Sequence, residues 1–372
     1  MNILYLGKKK RNDFSGIEKK IYGQIDAFRS LGHGVWFLYT EPNSIWLEKE
    51  NGTTEKLLDY SENMISIYGA YEKATRIVAE KYSDKIDMCY IRKPLATWMH
   101  LKALKKLHQI GWKVVEEIPT FPYDSELIVE KGVKSKIYLW VDRLFRPFLS
   151  KNIDYFTTYS EHEKIWGREA IQLQNGIDVK SVKKRIPKCK GDLHLLTVST
   201  MCPWHGYDRL IKGLSTYYKE DRTVKVYIDM VGDGTCCKEW KELAQKLNVG
   251  KYVIFHGKMG GAELENMFER CQIAVSSLGL SRLGLSSSSV LKNREYVASG
   301  IPIVYANEDQ GLRQIDKYCF KVSDDEKEID MLAVVRFTES LHNYEQIANS
   351  MREYAEQKFT WESQMKKVID RI

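Results

Sequence analysis

Short β-branched or aromatic runs alternate with amphipathic stretches through the first half of the chain. Residues 2–7, 35–39, 64–67, 88–91, 112–116 and 155–158 read as buried strands. Helical patterns over 16–31 and 95–110 lie between some of them, closed by turns at Gly32 and Gly111. This strand–helix alternation predicts a parallel, doubly wound sheet. The stretch 182–191, with Lys183, Lys184, Arg185 and Pro187, breaks the pattern and reads as a linker. The alternation then restarts, with strands expected at 194–200, 226–231, 253–255, 273–276 and 302–306. Residues 344–372 read as amphipathic helix interrupted at Phe359-Thr-Trp361. Two Rossmann-like domains follow, over 1–181 and 191–357, and tandem domains of this kind usually take a ligand in the cleft they face.

Composition narrows the class. The 372 residues suffice for two cores, and 43% hydrophobic with 29% charged residues is ordinary for a globular enzyme. No apolar run approaches the ~18 residues of a spanning helix. The opening apolar run is too short for a signal peptide. Seven cysteines without a C-x-x-C or His/Cys cluster indicate neither a disulfide framework nor a metal site, which fits a cytoplasmic protein. Residues 1–190 carry 33 Lys and Arg against 24 Asp and Glu, and the remainder 24 against 26. A basic first half favours an anionic partner such as a phospholipid surface. No base-reading motif supports nucleic acid, and a solvated lysine-rich face is the commoner meaning of such an excess.

The most informative segment runs from Ser286 to Tyr305. Ser289 is a suitable N-cap for a helix over 290–299, with Gly300 as its stop and Pro302 beyond it. The amides of Val290 and Leu291 would then sit free at the helix start, a natural phosphate seat. Lys292 lies in the first turn, where a cation is unfavourable unless an anion binds nearby. Glu295, one turn on, can accept from both hydroxyls of a ribose. A surface helix with an incidental charge pair is the alternative. Residues 195–214 predict a strand, a loop and a helix, in which Gly206 admits close backbone approach and His205 and Arg209 are candidate cations. Val231-Gly-Asp-Gly reads as a tight architectural turn, and the segment around Met259 follows a strand where backbone can pair with a base.

In the first half, Gly16 follows a strand and opens a helix. The segment from Glu116 and Glu117 through two prolines resembles a rigid substrate-lining loop. Over 131–150, Ile137, Val141, Leu144 and Phe148 form a stripe flanked by Lys134, Lys136, Arg143 and Arg146. A core-packing helix is the favoured reading, a membrane-surface helix the other.

Read together, Ser15-Gly16, Asn175-Gly-Ile-Asp178, His205-Gly206-Tyr-Asp-Arg209, Val231-Gly-Asp-Gly, Phe255-His-Gly and Leu291-Lys-x-x-Glu295-Tyr-x-Ala-x-Gly-x-Pro302 resemble the family-4 retaining glycosyltransferases of the GT-B fold, especially those of bacterial capsule and exopolysaccharide synthesis. The resemblance covers nearly the whole chain. It implies two Rossmann-like domains, the second holding a nucleotide-sugar and the first an acceptor, with the helix over 358–372 returning to the first. Glu295 matches the ribose-binding second glutamate of the E-x7-E motif, Leu291 an amide that meets the diphosphate, and Gly16 the glycine facing it. Ser287 stands where the first glutamate belongs, and Thr200 and His205 stand at the family's phosphate-binding Arg and Lys. The diphosphate would then meet His205, Arg209, Arg282 and Lys292. Where the family often has a histidine in the first domain, this chain reads Glu117-Ile-Pro-Thr120.

The function expected is transfer of a sugar, with retention, from a nucleotide-diphosphate sugar to a lipid-linked or polysaccharide acceptor in capsule, exopolysaccharide or cell-surface glycan synthesis. A UDP-sugar is expected ahead of a GDP-sugar. No cofactor is required, and the absence of Asp-x-Asp argues against a metal. The candidate catalytic residues are His205, Arg209, Lys292 and Glu117. The candidate donor-binding residues are Gly16, Gly206, Arg282, Ser289, Val290, Leu291, Glu295 and Met259. The site of action is the cytoplasm, extending to the inner face of the plasma membrane. A non-catalytic partner subunit and a nucleotide-sugar epimerase of the same fold are the alternatives.

Overall fold

The computed structural model describes residues 1–7, 16–61, 63–124, 127–128, 135–187 and 191–372. They form two compact units, Met1–Gly176 with Trp361–Ile372, and Ile177–Thr360. The stretch read as a linker begins inside the second unit. Arg185 is buried there, donating to Ser299 Oγ at 3.1 Å and pairing with Glu265.

The first unit is built on β1 (Asn2–Leu6), β2 (Gly34–Glu41), β3 (Ser44–Glu48), β4 (Thr54–Asp59), β5 (Met88–Arg92), β6 (Lys113–Ile118), β7 (Tyr155–Thr158), β8 (Lys164–Ile165) and β9 (Arg168–Gln172). The sheet order is β4-β3-β2-β1-β5-β6-β7-β9-β8. Its centre is parallel, while β3 and β4 add an antiparallel edge on one side and β8 on the other. The helices are α1 (Gly16–Ser30), α2 (Met64–Lys81), α3 (Trp98–Gln109), α4 (Ser135–Ser150) and the final helix, α11 (Trp361–Ile369). Residues 64–67 are therefore helix and not strand. Asn63 caps α2 by accepting from Ser66 N at 2.8 Å, and Ala70, Ala74 and Val78 keep a helical period into the core. The α11 helix lies on α1 because Gly23 and Gly176 have no side chain; a Cβ at either would stand within 2.5 Å of the Trp361 ring.

The second unit carries β10 (Leu193–Val198), β11 (Val226–Val231), β12 (Val253–Gly257), β13 (Ile273–Val275), β14 (Ile303–Tyr305) and β15 (Cys319–Lys321), all parallel, in the order β12-β11-β10-β13-β14-β15. Its helices are α5 (Tyr207–Tyr217), α6 (Cys237–Lys246), α7 (Gly261–Arg270), α8 (Leu291–Ser299), α9 (Met331–Ser340) and α10 (Tyr344–Lys358). Among the parallel strands of each sheet the order reverses once, beside β1 and β5 in the first and beside β10 and β13 in the second. Ligands of open α/β sheets bind outside the carboxyl ends of the strands at such reversals.

Candidate functional site

In the second unit the loops after β10 and β13 meet at the reversal. Gly206 sits between them at φ +64, and a Cβ there would lie 2.7 Å from Gly279 N. Only glycine combines that left-handed backbone with so close an approach. Leu278 N donates to His205 O at 2.8 Å, closing the two loops on each other. Behind them, Gly232 at φ +121 would place a Cβ 1.8 Å from Ser199 O, so the turn after β11 packs directly on the strand end.

The α8 helix brings its first turn to this place. Val290 is the N-cap, with no side chain capping the helix, and Leu291 is the first helical residue. The expected cap, Ser289, instead accepts from Arg294 Nη2 at 2.8 Å. The serine run is strapped across the end of β14 through Ser288 N to Glu308 O at 2.9 Å, and its extended backbone delays the helix by one residue. From the other side, Asp309 receives Arg294 at 2.7 and 2.9 Å and Asn293 Nδ2 at 3.0 Å, all three side chains buried. This pair fixes the height and rotation of α8. Nothing in the local sequence around Glu295 pointed to it.

Lys292 Nζ lies 3.3 Å from Tyr207 OH and 3.4 Å from His205 Nδ1. The carboxylate whose charge acts on it is Glu295, one turn along α8. Burial pulls its pKa from the usual lysine range down to about 7, against the more distant charge of Glu295. His205 is buried, and its Nδ1 also stands 2.8 Å from Ser277 Oγ. Burial, with Lys292 beside it, holds its pKa down at about 2. Both causes favour a neutral ring over the cation expected there.

Arg209 is also corrected as a diphosphate contact. Its guanidinium is fully buried and donates to the carbonyls of Lys327 at 2.7 Å, Ser323 at 2.8 Å and Leu278, with Asp325 at 3.3 Å. It ties α5 to the segment before α9. Arg282 is bound by Asp208 at 2.9 and 3.1 Å and by Glu326 at 2.6 and 2.8 Å, so two carboxylates already match its charge. Glu295 is half-buried on α8, one turn from Lys292, and Met259 is half-buried in the turn between β12 and α7. Of the sequence-derived set, the structure brings together His205, Gly206, Val290, Leu291 and Lys292.

In the first unit Glu117 is buried at the end of β6. It accepts from Gln24 Nε2 at 2.5 Å, Tyr90 OH at 2.8 Å, Arg92 Nη1 at 2.9 Å and Tyr159 OH at 3.0 Å, with Lys20 Nζ at 3.2 Å. Burial alone would raise its pKa, but Lys20 and Arg92 with these hydrogen bonds hold it at about 2. Lys20, 3.4 Å from the centroid of the Tyr159 ring, is lowered by burial to about 7. A carboxylate with five partners organises the strand ends; it does not reach outward as the expected catalytic group. Gly16 is described as the first residue of α1, and Ser15 lies outside the described residues. At the reversal beside β1 and β5 lies a cavity of about 390 Å³, lined by Leu6, Gly7, Ile91, Lys93, Ile118 and Thr120 with residues of α2 and α3. Both its size and its mostly apolar walls suit a ligand site.

Residues 178–358 match the family described as "Glycosyl transferases group 1". This group 1 glycosyl transferase segment contains the whole Gly206–Lys292 cluster. Among curated proteins none matches the chain. Solved structures with the same fold include a glycosyltransferase from Rickettsia africae, at 14% identity and TM-score 0.63, covering 100% of this chain and 97% of that one. The lipopolysaccharide outer core galactosyltransferase WaaB is similar at 13% identity and TM-score 0.64, with 100% of both chains covered. HepE of Anabaena, in complex with UDP, is similar at 14% and 0.61, again with 100% of both chains covered. The GT-B architecture of two parallel-sheet domains is shared with these.

Proposed function

We propose that the protein is a retaining glycosyltransferase that moves a sugar from a UDP-sugar to a lipid-linked or polysaccharide acceptor. On this reading it serves the synthesis of a capsule, exopolysaccharide or other cell-surface glycan at the inner face of the plasma membrane. The observation that carries it is Lys292: a half-buried lysine at the strand reversal, turned toward His205 and Tyr207, beside glycine-lined backbone and an uncapped helix start. Such a place is completed by an anion. The group 1 glycosyl transferase segment and the UDP complex of HepE support a nucleotide diphosphate as that anion.

The roles follow from position. The amides at the start of α8 and Lys292 receive the diphosphate, Gly206 lets it approach the backbone, and Glu295 accepts the ribose hydroxyls. The neutral His205 accepts from Lys292 or Ser277 and holds the ammonium in place. The acceptor belongs to the cavity of the first unit. In the transfer step the bond from the sugar's anomeric carbon to the diphosphate oxygen breaks, and the acceptor oxygen bonds to that carbon on the same face. The acceptor's proton passes to the departing phosphate oxygen. The protein's part is to stabilise charge on that oxygen by a preorganised cation and amides. No metal is assigned to the step.

Transfer of radiolabel from UDP-sugars to a bacterial lipid extract, with the anomeric configuration read by NMR, tests this. A labelled lipid of retained configuration is the expected product. Inverted configuration would contradict the mechanism, and free nucleotide-sugar isomers without transfer would point to an epimerase. Glu295→Ala is expected to weaken UDP affinity by about 1.5–3 kcal/mol with the fold intact. Unchanged affinity by calorimetry would remove the ribose assignment.

A further inference from the structure

Two free cysteines stand on neighbouring loops of the second unit, beside the Gly206–Lys292 cluster. Cys202 lies in the loop after β10, three residues before His205, and Cys236 in the turn that leads from β11 into α6. Cys236 N donates at 3.0 Å to Met201 O, the carbonyl immediately before Cys202. Standard backbone geometry then leaves the two Cα atoms no more than about 7 Å apart, and less with any bend at the oxygen. A disulfide spans about 4.4–6.8 Å between Cα atoms. Gly234 makes this approach possible: a Cβ there would stand 2.6 Å from Met201 O and 2.9 Å from Met201 N.

The two thiols are unequal. Cys202 is half-buried, and its side chain makes no capping bond to the short helix that it opens. Cys236 is buried in one core cluster with Met201, Tyr207 and Trp240, and burial pushes its thiol up, against a hydrogen bond with Thr235. Cys202 is among the groups whose charge acts on it. Cys202 also stands near Lys292: burial lowers that lysine, and Glu295 and then Cys202 oppose the shift. A partly exposed thiol with a shielded second one next to it is the arrangement of a redox-sensing pair. Elsewhere burial pushes the thiols of Cys89 and Cys319 well up and that of Cys271 up to about 12, so these resist oxidation.

We propose that Cys202 and Cys236 form a reversible oxidation site, closed to a disulfide by hydrogen peroxide and reopened by dithiols. The Cys202 sulfur attacks the peroxide, the O–O bond breaks, one water leaves, and a sulfenic acid remains. The Cys236 sulfur then attacks the Cys202 sulfur, the S–O bond breaks, and a second water leaves. The two thiols give up two electrons and two protons, and the peroxide is reduced to two waters. A dithiol reverses the step by exchange through a mixed disulfide and is itself oxidised. Closure draws Cys202 toward the start of α6, while the loop it belongs to has no slack. His205 O is held by Leu278 N at 2.8 Å, and a Cβ at Gly206 would meet Gly279 N at 2.7 Å. The closed form therefore disturbs the backbone around Gly206. The bond itself needs no nucleotide; its effect on donor binding rests on the transferase reading.

The test treats the full chain with hydrogen peroxide, alkylates the remaining thiols, and maps disulfides by mass spectrometry of its peptides. A Cys202–Cys236 cross-link in most of the chain is expected, reversed by dithiothreitol and absent from Cys202→Ser. Cys236→Ala should leave Cys202 as a sulfenic acid that dimedone captures. The oxidised parent should need about tenfold more UDP than the reduced parent for the same melting shift. Cys202→Ser should show one UDP shift before and after peroxide. A parent whose Cys202 passes to the sulfinic acid, or links to Cys237 or to a second copy in place of Cys236, would overturn the proposal. A cross-linked chain that binds UDP as tightly as the reduced one would overturn the coupling of the site to the loop. A cross-link in a chain that shows no UDP shift even when reduced would uphold the oxidation site and remove the donor reading instead.

Discussion

Asp309→Ala should cost about 3–5 kcal/mol of stability, among the largest losses available to a single substitution in the second unit. The Arg294 guanidinium is fully buried, held on two sides by Asp309 and lying 4.3 Å from the centroid of the Phe359 ring. Removing the carboxylate strands that charge in a medium that cannot solvate it. It also frees Asn293 Nδ2 and Gly311 N, which donate to the same carboxylate at 3.0 and 3.1 Å. For a unit of this size the expected fall in melting temperature is about 6–20 °C. The paired change Asp309→Leu with Arg294→Met should recover most of the loss, because no buried charge then remains. A loss below about 1 kcal/mol in calorimetry of Asp309→Ala would show that α8 is held by its apolar contacts alone.

Lys292→Met should move stability and binding in opposite directions. Without ligand the half-buried, poorly solvated ammonium is a burden, so its removal should leave the melting temperature equal or higher. With a UDP-sugar, the lost charge-assisted contact should weaken affinity by about 1.5–3 kcal/mol, roughly ten- to 150-fold. The parent protein should also show a pH dependence that the variant lacks. Burial holds Lys292 at about 7 in the free protein, and a bound diphosphate favours the ammonium and raises that value. Affinity should therefore be level below pH 7 and fall above it, by about an order of magnitude or more between pH 6.5 and 8.5. Binding at the upper end should take up close to one proton. A UDP-sugar is the better probe because its diphosphate keeps one charge state over this range. Equal affinity at the two pH values would place the diphosphate elsewhere.

These residues also show where the sequence was legible. Strands β1, β5, β6, β10 and β11 are buried on both faces, so their apolar runs stand out against the polar turns around them. The doubly wound architecture followed from those runs. Residues 64–67 misled because four positions of mixed apolar character do not distinguish a strand from the first turn of a helix; the deciding signals, Asn63 and the spacing of Ala70, Ala74 and Val78, lie to either side. The β3–β4 hairpin was missed because its edge position leaves β4 half-exposed and its apolar signal thin.

In the site, the local features of α8 could be read directly: Lys292 and Glu295 in adjacent turns, then Gly300 and Pro302. What could not be read was set by residues distant in the chain. Asp309 lies fifteen positions beyond Arg294, and the contact between His205 and Lys292 spans 87 positions. Arg209 looked like an anion contact by its place after Gly206, yet its guanidinium is spent on backbone carbonyls 69 to 118 positions distant. The stripe on α4 was visible as a period, but a period carries no information about which side faces the core: Ile137, Leu144 and Phe148 are 65, 48 and 50% exposed, which corrects the core-packing expectation.

On the proposed function, the Gly206–Lys292 cluster holds a nucleotide diphosphate. Thermal-shift measurements with UDP, GDP and ADP on the parent chain and on Lys292→Met test it most directly. At 100 times its dissociation constant a ligand adds about 2.7 kcal/mol of stability. A clear upward shift of the parent with UDP is expected, little with ADP, and a much smaller shift for Lys292→Met at the same UDP concentration. No shift of the folded parent with any of the three nucleotides, or the same UDP shift in both proteins, would contradict it.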